Sequence, residues 1–173
     1  TMADTHGRKI VTDLLGDIDE RVYPVGRLDK DSEGLLILTN DGALANAVMH
    51  PSKHVAKVYR VTVRPDISDE QIAAMSDGMM LDGRMTAPAQ VTVLEKRDGR
   101  AVIEIVLFEG RNRQIRRMCE ELGIEVARLK RTAIAGIKLG MLPQGKWREL
   151  TPQEVSHILS AAGARTNKKE KRR

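Results

Sequence analysis

Two strand-like segments, residues 91–95 and 100–108, flank the dipeptide Asp98–Gly99. An Asp-Gly pair between two such segments is typical of a tight β-hairpin turn. Residues 57–63 alternate as a further strand, and residues 35–39 form a short apolar run that also favours a strand. Because no regular series of helical crossovers separates these segments, the sequence predicts strands that pair mainly in the antiparallel sense.

Helices are expected around these strands. The expected helices cover residues 12–19, 42–49, 68–75, 111–122 and a last segment that opens at Thr151–Pro152. Asp41 can cap the second helix, Ser68 with Gln71 forms a capping box for the third, and Gly123 can end the fourth. The chain is therefore expected to be an α+β protein with a mixed, mostly antiparallel central sheet and flanking helices.

The excess positive charge is concentrated at one end of the chain. The 173 residues carry 29 Lys and Arg against 24 Asp and Glu, but residues 165–173 alone hold six basic side chains and one acidic one. The remainder is neutral, with 23 charges of each sign. We expect residues 1–162 to fold as one domain and residues 163–173 to form a basic, disordered tail, which either contacts phosphates or is merely solvated.

The sequence argues against several classes of protein. No stretch approaches the roughly 20 apolar residues that span a bilayer, and no export leader is recognisable. The single Cys119 cannot form an internal disulfide or a cysteine-based zinc site, which fits a reducing cytoplasm. Because phosphate-binding glycine loops, dinucleotide fingerprints and nucleophile elbows are also absent, no cofactor and no metal are expected.

The segment from Asp29 to Gly34 permits three interpretations. Its alternate oxygens followed by a glycine resemble half of a calcium loop, but the twelfth position, which should be a bidentate Glu, is Asn40. A plain turn with an ion pair is the simplest interpretation. In the third, Arg27 lies beside Asp29 and keeps its carboxylate ionised, ready to act as a nucleophile or a base.

Tyr59 lies on the strand predicted over residues 57–63. A repeat of two places Lys57 and Tyr59 on the same face. Tyr59 is one of only four aromatic residues in the chain, which suits holding one base better than stacking along a long single strand. A tyrosine packed in the core of a half-buried strand is the simpler alternative.

Four arginines fall within residues 111–117. On a helix, Ile115 and Met118 belong to an apolar stripe, Arg113 and Arg117 lie on the opposite face, and Arg116 lies at the edge of the stripe. An arginine at the edge can reach into a cleft, and those opposite are free to bind phosphates. A solvated helix face is the alternative.

Three segments together resemble the pseudouridine synthases of the RsuA/RluB type, which modify ribosomal RNA. They are Gly26-Arg27-Leu28-Asp29 with residues 34–42, then Lys57-Val58-Tyr59, then the stretch from Glu109 to Arg117. Residues 128–131 and 145–150 look closer to the large-subunit RluB branch. The resemblance implies the pseudouridine synthase fold, with residues 1–162 as a catalytic domain that lacks the usual N-terminal RNA-binding domain and first strand.

The resemblance also implies roles for single residues. Asp29 would be the catalytic nucleophile that isomerises a uridine, in 23S ribosomal RNA, and Arg116 would pair with Asp29. Tyr59 would stack on the uracil and could take part in a later proton transfer. Arg27 would fill the gap left when the target base flips out of its stack. The residues implied to position the RNA backbone are Lys57, Arg111 and Arg113.

Two other functions stay open on the residues alone. The chain could be a non-catalytic ribosome-binding module that retains the scaffold. It could also be a glycosidase in which Asp31 or Glu33 supplies the second acid. The expected location is the cytoplasm, without membrane contact. The sequence does not indicate an oligomeric state, so a monomer is the default expectation.

Overall fold

The computed structural model describes residues 11–161. The tail predicted at residues 163–173 lies outside this range. The strands of this part of the chain are β1 (Tyr23–Val25), β2 (Glu33–Gly34), β3 (Ile37–Thr39), β4 (Lys57–Arg64), β5 (Met80–Leu81), β6 (Arg84–Met85), β7 (Gln90–Arg97), β8 (Arg100–Leu107), β9 (Glu125–Ile134) and β10 (Ile137–Lys138). The helices are α1 (Gly42–Met49), α2 (Asp69–Asp77), α3 (Gln114–Glu121) and α4 (Pro152–Ala161), with short 3-10 helices at Val11–Leu14 and Pro51–Lys53.

A mixed sheet forms the centre of the molecule. Five strands follow the order β10–β9–β4–β8–β7, and every neighbouring pair is antiparallel. β2 adds to β9 as the one parallel pair within residues 11–161. β1 with β3 and β5 with β6 form two small antiparallel ribbons. The predicted α+β class with a mixed, mostly antiparallel sheet is confirmed.

The predicted hairpin is the β7–β8 pair. Arg97 faces Arg100 across the turn at Asp98–Gly99, and Gly99 has a φ of +78°, a conformation that suits glycine. The buried side chains of β8, among them Ile103 and Ile105, meet Met118 and Cys119 of α3 in the larger core cluster. A second cluster lies under α1 and α4 and includes Ile134 and Ile158.

Several helix signals act as expected. The Asp41 side chain accepts hydrogen bonds from the backbone N–H groups of Ala43 and Leu44 at the start of α1. Ser68 and Gln71 form both hydrogen bonds of the capping box of α2. Thr151 caps α4, because its hydroxyl accepts from the Glu154 N–H at 3.1 Å.

Three predictions of secondary structure need correction. The helix expected over residues 111–122 begins only at Gln114, since the preceding residues form a turn in which Arg113 has a φ of +49°. The segment at residues 12–19 is helical only over Val11–Leu14, as a 3-10 turn. The strand expected over residues 35–39 begins at Ile37, because the Leu35 N–H donates instead to the Arg131 carbonyl at 2.8 Å.

Strand β9 was not predicted from the sequence. This ten-residue strand pairs with β2, β4 and β10, so it holds much of the sheet together. None of the helices within residues 11–161 is long and apolar enough to cross a membrane.

Gly34 is where the segment carrying Asp29 meets the sheet. Its φ is +117°, and a Cβ built there would lie 2.2 Å from the Arg131 carbonyl oxygen. Any side chain at this position would therefore push β2 away from β9. Only glycine combines this backbone conformation with so close an approach.

We expect Gly34→Ala to lower the free energy of unfolding by about 2 kcal/mol or more, because it adds backbone strain and a clash with β9. Gly16→Ala is the matched control, since a Cβ there meets nothing within 4 Å and should change stability by about 1 kcal/mol or less. Urea denaturation followed by circular dichroism measures both. Equal effects of the two substitutions would contradict the close packing of β2 on β9.

Candidate active site

A cleft of about 430 Å³ opens beside the start of β4. The segment after β1, the turn before α3, and β9 supply its other walls. Among the predicted site residues, those that line it are Arg27, Asp29, Lys57, Tyr59, Arg111 and Arg113. Arg116 is not part of the lining. Segments distant in sequence thus meet around one space, as the predicted site requires.

Asp29 lies in a turn, since the Ser32 N–H donates to the Asp29 carbonyl at 3.0 Å. Its carboxylate is one-third exposed, and Oδ2 lies 3.7 Å from Arg113 Nη1. The positive charge of the guanidinium lies close enough to attract this carboxylate. Because the distance exceeds that of a hydrogen bond, the carboxylate oxygens stay available to a substrate.

Arg113 makes its strong contacts with Asp31. Nη1 and Nη2 donate to the two carboxylate oxygens, each at 2.9 Å. This forked geometry holds the pKa of Asp31 well below its ordinary value, at about 2. The fork fixes the Arg113 side chain, and thereby the charge that Asp29 senses.

The predicted pairing of Arg116 with Asp29 is wrong. Arg116 Nη2 donates to the Asp31 carbonyl oxygen at 2.6 Å and to the Ser32 hydroxyl at 3.3 Å. Its Nε lies 3.4 Å from the Asp31 carboxylate. Since α3 begins at Gln114 rather than at residue 111, Arg113 belongs to the turn and is the arginine that approaches Asp29, while Arg116 braces the same loop at Asp31.

Arg111 is engaged elsewhere. Its guanidinium donates to the carbonyl oxygens of Leu81 at 2.6 Å and Arg84 at 3.1 Å, which belong to the β5–β6 ribbon. Arg111 is therefore held against this ribbon, and its contact with the RNA backbone stays a prediction. Arg27, by contrast, is exposed, and its side chain has no hydrogen bond or ion pair with other residues of the range 11–161.

Tyr59 lies on β4 between two neighbours. Ile105 faces it from β8 and Arg131 faces it from β9. The ring is partly buried and packs against the larger core cluster, yet it also lines the cleft. Tyr59 is therefore a core residue with one side facing the cleft, and its contact with a base stays a prediction.

Lys57 is half-buried, two residues before Tyr59. Burial, with a smaller contribution from the nearby positive charge of Arg131, lowers the pKa of its ammonium group. A Cβ built on Gly110 would lie 2.7 Å from Lys57 Nζ, so the ammonium group reaches the turn before α3. The contact with the RNA backbone expected of Lys57 stays a prediction.

Sequence reasoning missed Arg131 altogether. This side chain is only 4% exposed, and its Nε donates to the Leu35 carbonyl at 2.9 Å while Nη1 donates to the Arg27 carbonyl at 3.4 Å. It therefore ties both ends of the segment that carries Asp29 to β9. The burial of a basic residue within the basic run of residues 128–131 leaves no local signal, because it depends on pairing with β2 and β4.

The carboxylates that a calcium site in this segment would need are bound to arginines. Both carboxylate oxygens of Asp31 bind Arg113, and Glu33 binds Arg128. Within residues 11–161, no group of three or more His, Cys, Asp or Glu side chains is arranged to hold a metal ion. The predicted turn is present and Asp29 lines the cleft, while its role as a reactive carboxylate stays a prediction.

Comparison with known proteins gives a consistent result. The family described as RNA pseudouridylate synthase matches residues 4–121. Ribosomal large subunit pseudouridine synthase B of Bacillus subtilis is 44% identical over 161 residues, which cover 92% of this chain and 66% of that protein. Dual-specificity RNA pseudouridine synthase RluF of Escherichia coli K12 is 45% identical over 136 residues, which cover 79% of this chain and 46% of that protein.

A solved structure agrees with these relatives. A crystal structure of a pseudouridylate synthase superposes with a TM-score of 0.74 at 33% identity, covering 79% of this chain and 59% of that one. The chain spans at most about two thirds of the length of the two curated relatives that it matches.

The Asp31–Arg113 contact has a measurable pH signature. The lowered pKa of Asp31 means that the contact stabilises the folded state fully above about pH 3.8, and that this contribution is lost as pH falls towards about 2. In a carboxyl carbon NMR titration we expect the Asp31 midpoint near pH 2. Arg113→Met should return it towards the ordinary value of 3.8. An unchanged midpoint in this variant would show that the fork does not form in solution.

Proposed function

The chain belongs to the RNA pseudouridylate synthase family, and we propose that it converts a specific uridine of 23S ribosomal RNA, in the large subunit, into pseudouridine. The observation that carries the proposal is the position of Asp29. Its carboxylate faces a cleft that Tyr59 and Lys57 also line, on a segment that Arg131 fixes to the central sheet. The name of the Bacillus subtilis relative, which refers to the ribosomal large subunit, supports the choice of RNA.

The reaction is an isomerisation. The bond between C1′ of the ribose and N1 of uracil breaks, the uracil turns, and C5 joins C1′. No electron carrier or outside group enters the balance. We assign the nucleophile to Asp29, whose carboxylate lies 3.7 Å from the Arg113 guanidinium. Arg116 acts through Asp31 and is a positioning residue in this proposal.

The substrate base must leave its stack to reach this carboxylate. Tyr59 offers a ring face to the flipped uracil, and stacking on an aromatic ring stabilises a base by about 1–3 kcal/mol. Arg27, exposed at the rim, is proposed to fill the space that the base leaves. Unstacking costs a few kcal/mol, so both contacts help to offset it.

The proposal places the protein in the cytoplasm, with ribosomal RNA as its partner. Asp29, Tyr59, Lys57 and Arg27 all come from one chain, so the site needs no second copy, and we propose a monomer.

A glycosidase fits the geometry less well. Such an enzyme needs one carboxyl group with a raised pKa that acts as the general acid. Arg113 lowers the pKa of Asp31, and Arg128 lowers that of Glu33. Both candidates for the second acid are therefore held ionised, which is the wrong state for protonating a leaving group.

We expect Asp29→Asn to abolish isomerisation, lowering the rate by about 10⁴-fold or more, because the amide is not a nucleophile. The measurement is release of tritium from C5-labelled uridine in ribosomal RNA. Asp98→Asn is the matched control, since Asp98 lies in the exposed β7–β8 turn and should leave the rate unchanged.

Two results would contradict the assignment. Activity of Asp29→Asn near that of the unmodified chain would remove Asp29 from the mechanism. Tritium retention by the unmodified chain, with RNA binding intact, would favour the non-catalytic ribosome-binding module.

The stacking role of Tyr59 has its own test. Tyr59→Phe keeps the ring, whereas Tyr59→Leu removes it while keeping an apolar side chain. We expect Tyr59→Leu to bind RNA at least about tenfold more weakly than Tyr59→Phe, since stacking on a ring is lost. Titration of a fluorescent RNA stem-loop measures both, and equal losses would argue against stacking.

A further inference from the structure

Two basic side chains beside Tyr59 lack an acidic partner within residues 11–161. The ammonium group of Lys57 forms no hydrogen bond or ion pair with any residue of the range 11–161. Arg131 donates only to backbone carbonyl oxygens, and its Nη2 is buried without a partner. Among the other arginines that line the cleft, Arg113 is neutralised by Asp31, whereas Arg27 is exposed to solvent.

The two cations converge beside Tyr59. Arg131 is the direct cross-strand neighbour of Tyr59, and such neighbours have Cβ atoms about 5 Å apart on one face of the sheet. Lys57 precedes Tyr59 by two residues, which places it on the same face. All three line the same cleft, and the charge of Arg131 is close enough to disfavour the charged form of Lys57.

Such an arrangement is unfavourable in the free protein. Two like charges that are partly removed from water and have no acidic side chain as partner repel each other and lose hydration. Neither forms an ion pair with Asp29, although Asp29 lines the same cleft. A ligand that brings negative charge to this point would relieve both penalties, which indicates what the site accepts.

We propose that Lys57 and Arg131 form a cationic pair that binds the carbonyl oxygens of the target uracil and stabilises the negative charge that the ring gains when its bond to the ribose breaks. This inference rests on the proposed function. Lys57 and Arg131 are then catalytic residues that contact the substrate. Arg131 does so in addition to its hydrogen bonds with carbonyl oxygens of the protein backbone.

The negative charge that Lys57 and Arg131 would stabilise follows from the bonding changes on the uracil ring. When the C1′–N1 bond breaks, its electron pair stays on N1 and spreads onto O2 and O4 of the ring. The Asp29 carboxylate meanwhile bonds to C1′. C5 then attacks C1′ and displaces the carboxylate, the proton on C5 leaves, and N1 gains a proton. The ring is therefore anionic only between these two bonding events, and donors placed at its oxygens stabilise that stage.

The depth of the pair favours a base over a phosphate. Arg131 is only 4% exposed, and a phosphate must stay on the RNA chain outside the cleft. Phosphates would meet the exposed side chains of Arg27 and Arg113 instead. A flipped base is the part of the RNA that can reach Arg131.

Lys57→Met tests the pair, because it removes the charge and keeps the length of the side chain. The assay measures single-turnover formation of carbon-linked nucleoside from an RNA that contains either uridine or 5-fluorouridine at the target position. Fluorine withdraws electrons and thereby stabilises the ring anion, so the fluorinated ring depends less on the two cations. We expect a loss of about 10²-fold on uridine and a loss about tenfold smaller on 5-fluorouridine.

The control variant is Lys138→Met, which removes the same charge from an exposed position on β10 and should leave both rates unchanged. Lys57→Met should melt no lower than the unmodified chain, since a desolvated cation is removed. An equal loss on both substrates, or no loss, overturns the inference while the proposed function stands. If the unmodified chain forms no carbon-linked nucleoside from either RNA, the proposed function fails, and this inference fails with it.

Discussion

The cleft depends on how the segment that carries Asp29 is fastened to β9. Gly34 and Arg131 pair in the only parallel contact within residues 11–161, and the absence of a Cβ on Gly34 lets the two backbones approach. The Arg131 side chain then holds the carbonyl oxygens of Leu35 and Arg27. A buried guanidinium that binds both ends of a loop restricts the position of everything between them, including the carboxylate.

The acidic side chains of that loop have two different roles, since some fix the loop and one is available to a substrate. Asp31 and Glu33 each bind an arginine closely, so these two acids fix the loop and neutralise cations. Asp29 keeps a longer contact of 3.7 Å with Arg113, which leaves its carboxylate oxygens available to a substrate. Three acids in five residues thus have different environments, and only one of them is suited to attack a substrate.

Local sequence signals were sufficient where structure is local. The Asp98–Gly99 turn, the Asp41 cap and the capping box at Ser68 all form as predicted, and the family motifs identified the family. What was missed is non-local. Strand β9 was missed because residues 128–131 are mostly charged, although pairing with β2 and β4 buries Arg131. The late start of α3 places Arg113, rather than Arg116, next to Asp29.

The most direct test of the account is a map of pseudouridine in the ribosomal RNA of cells that carry Asp29→Asn in place of the natural gene. The account predicts that one specific site in the large-subunit RNA remains uridine in these cells, while the other pseudouridines persist and the variant protein accumulates normally. A map identical to that of unaltered cells would contradict it, because the Asp29 carboxylate would then not be required for any modification.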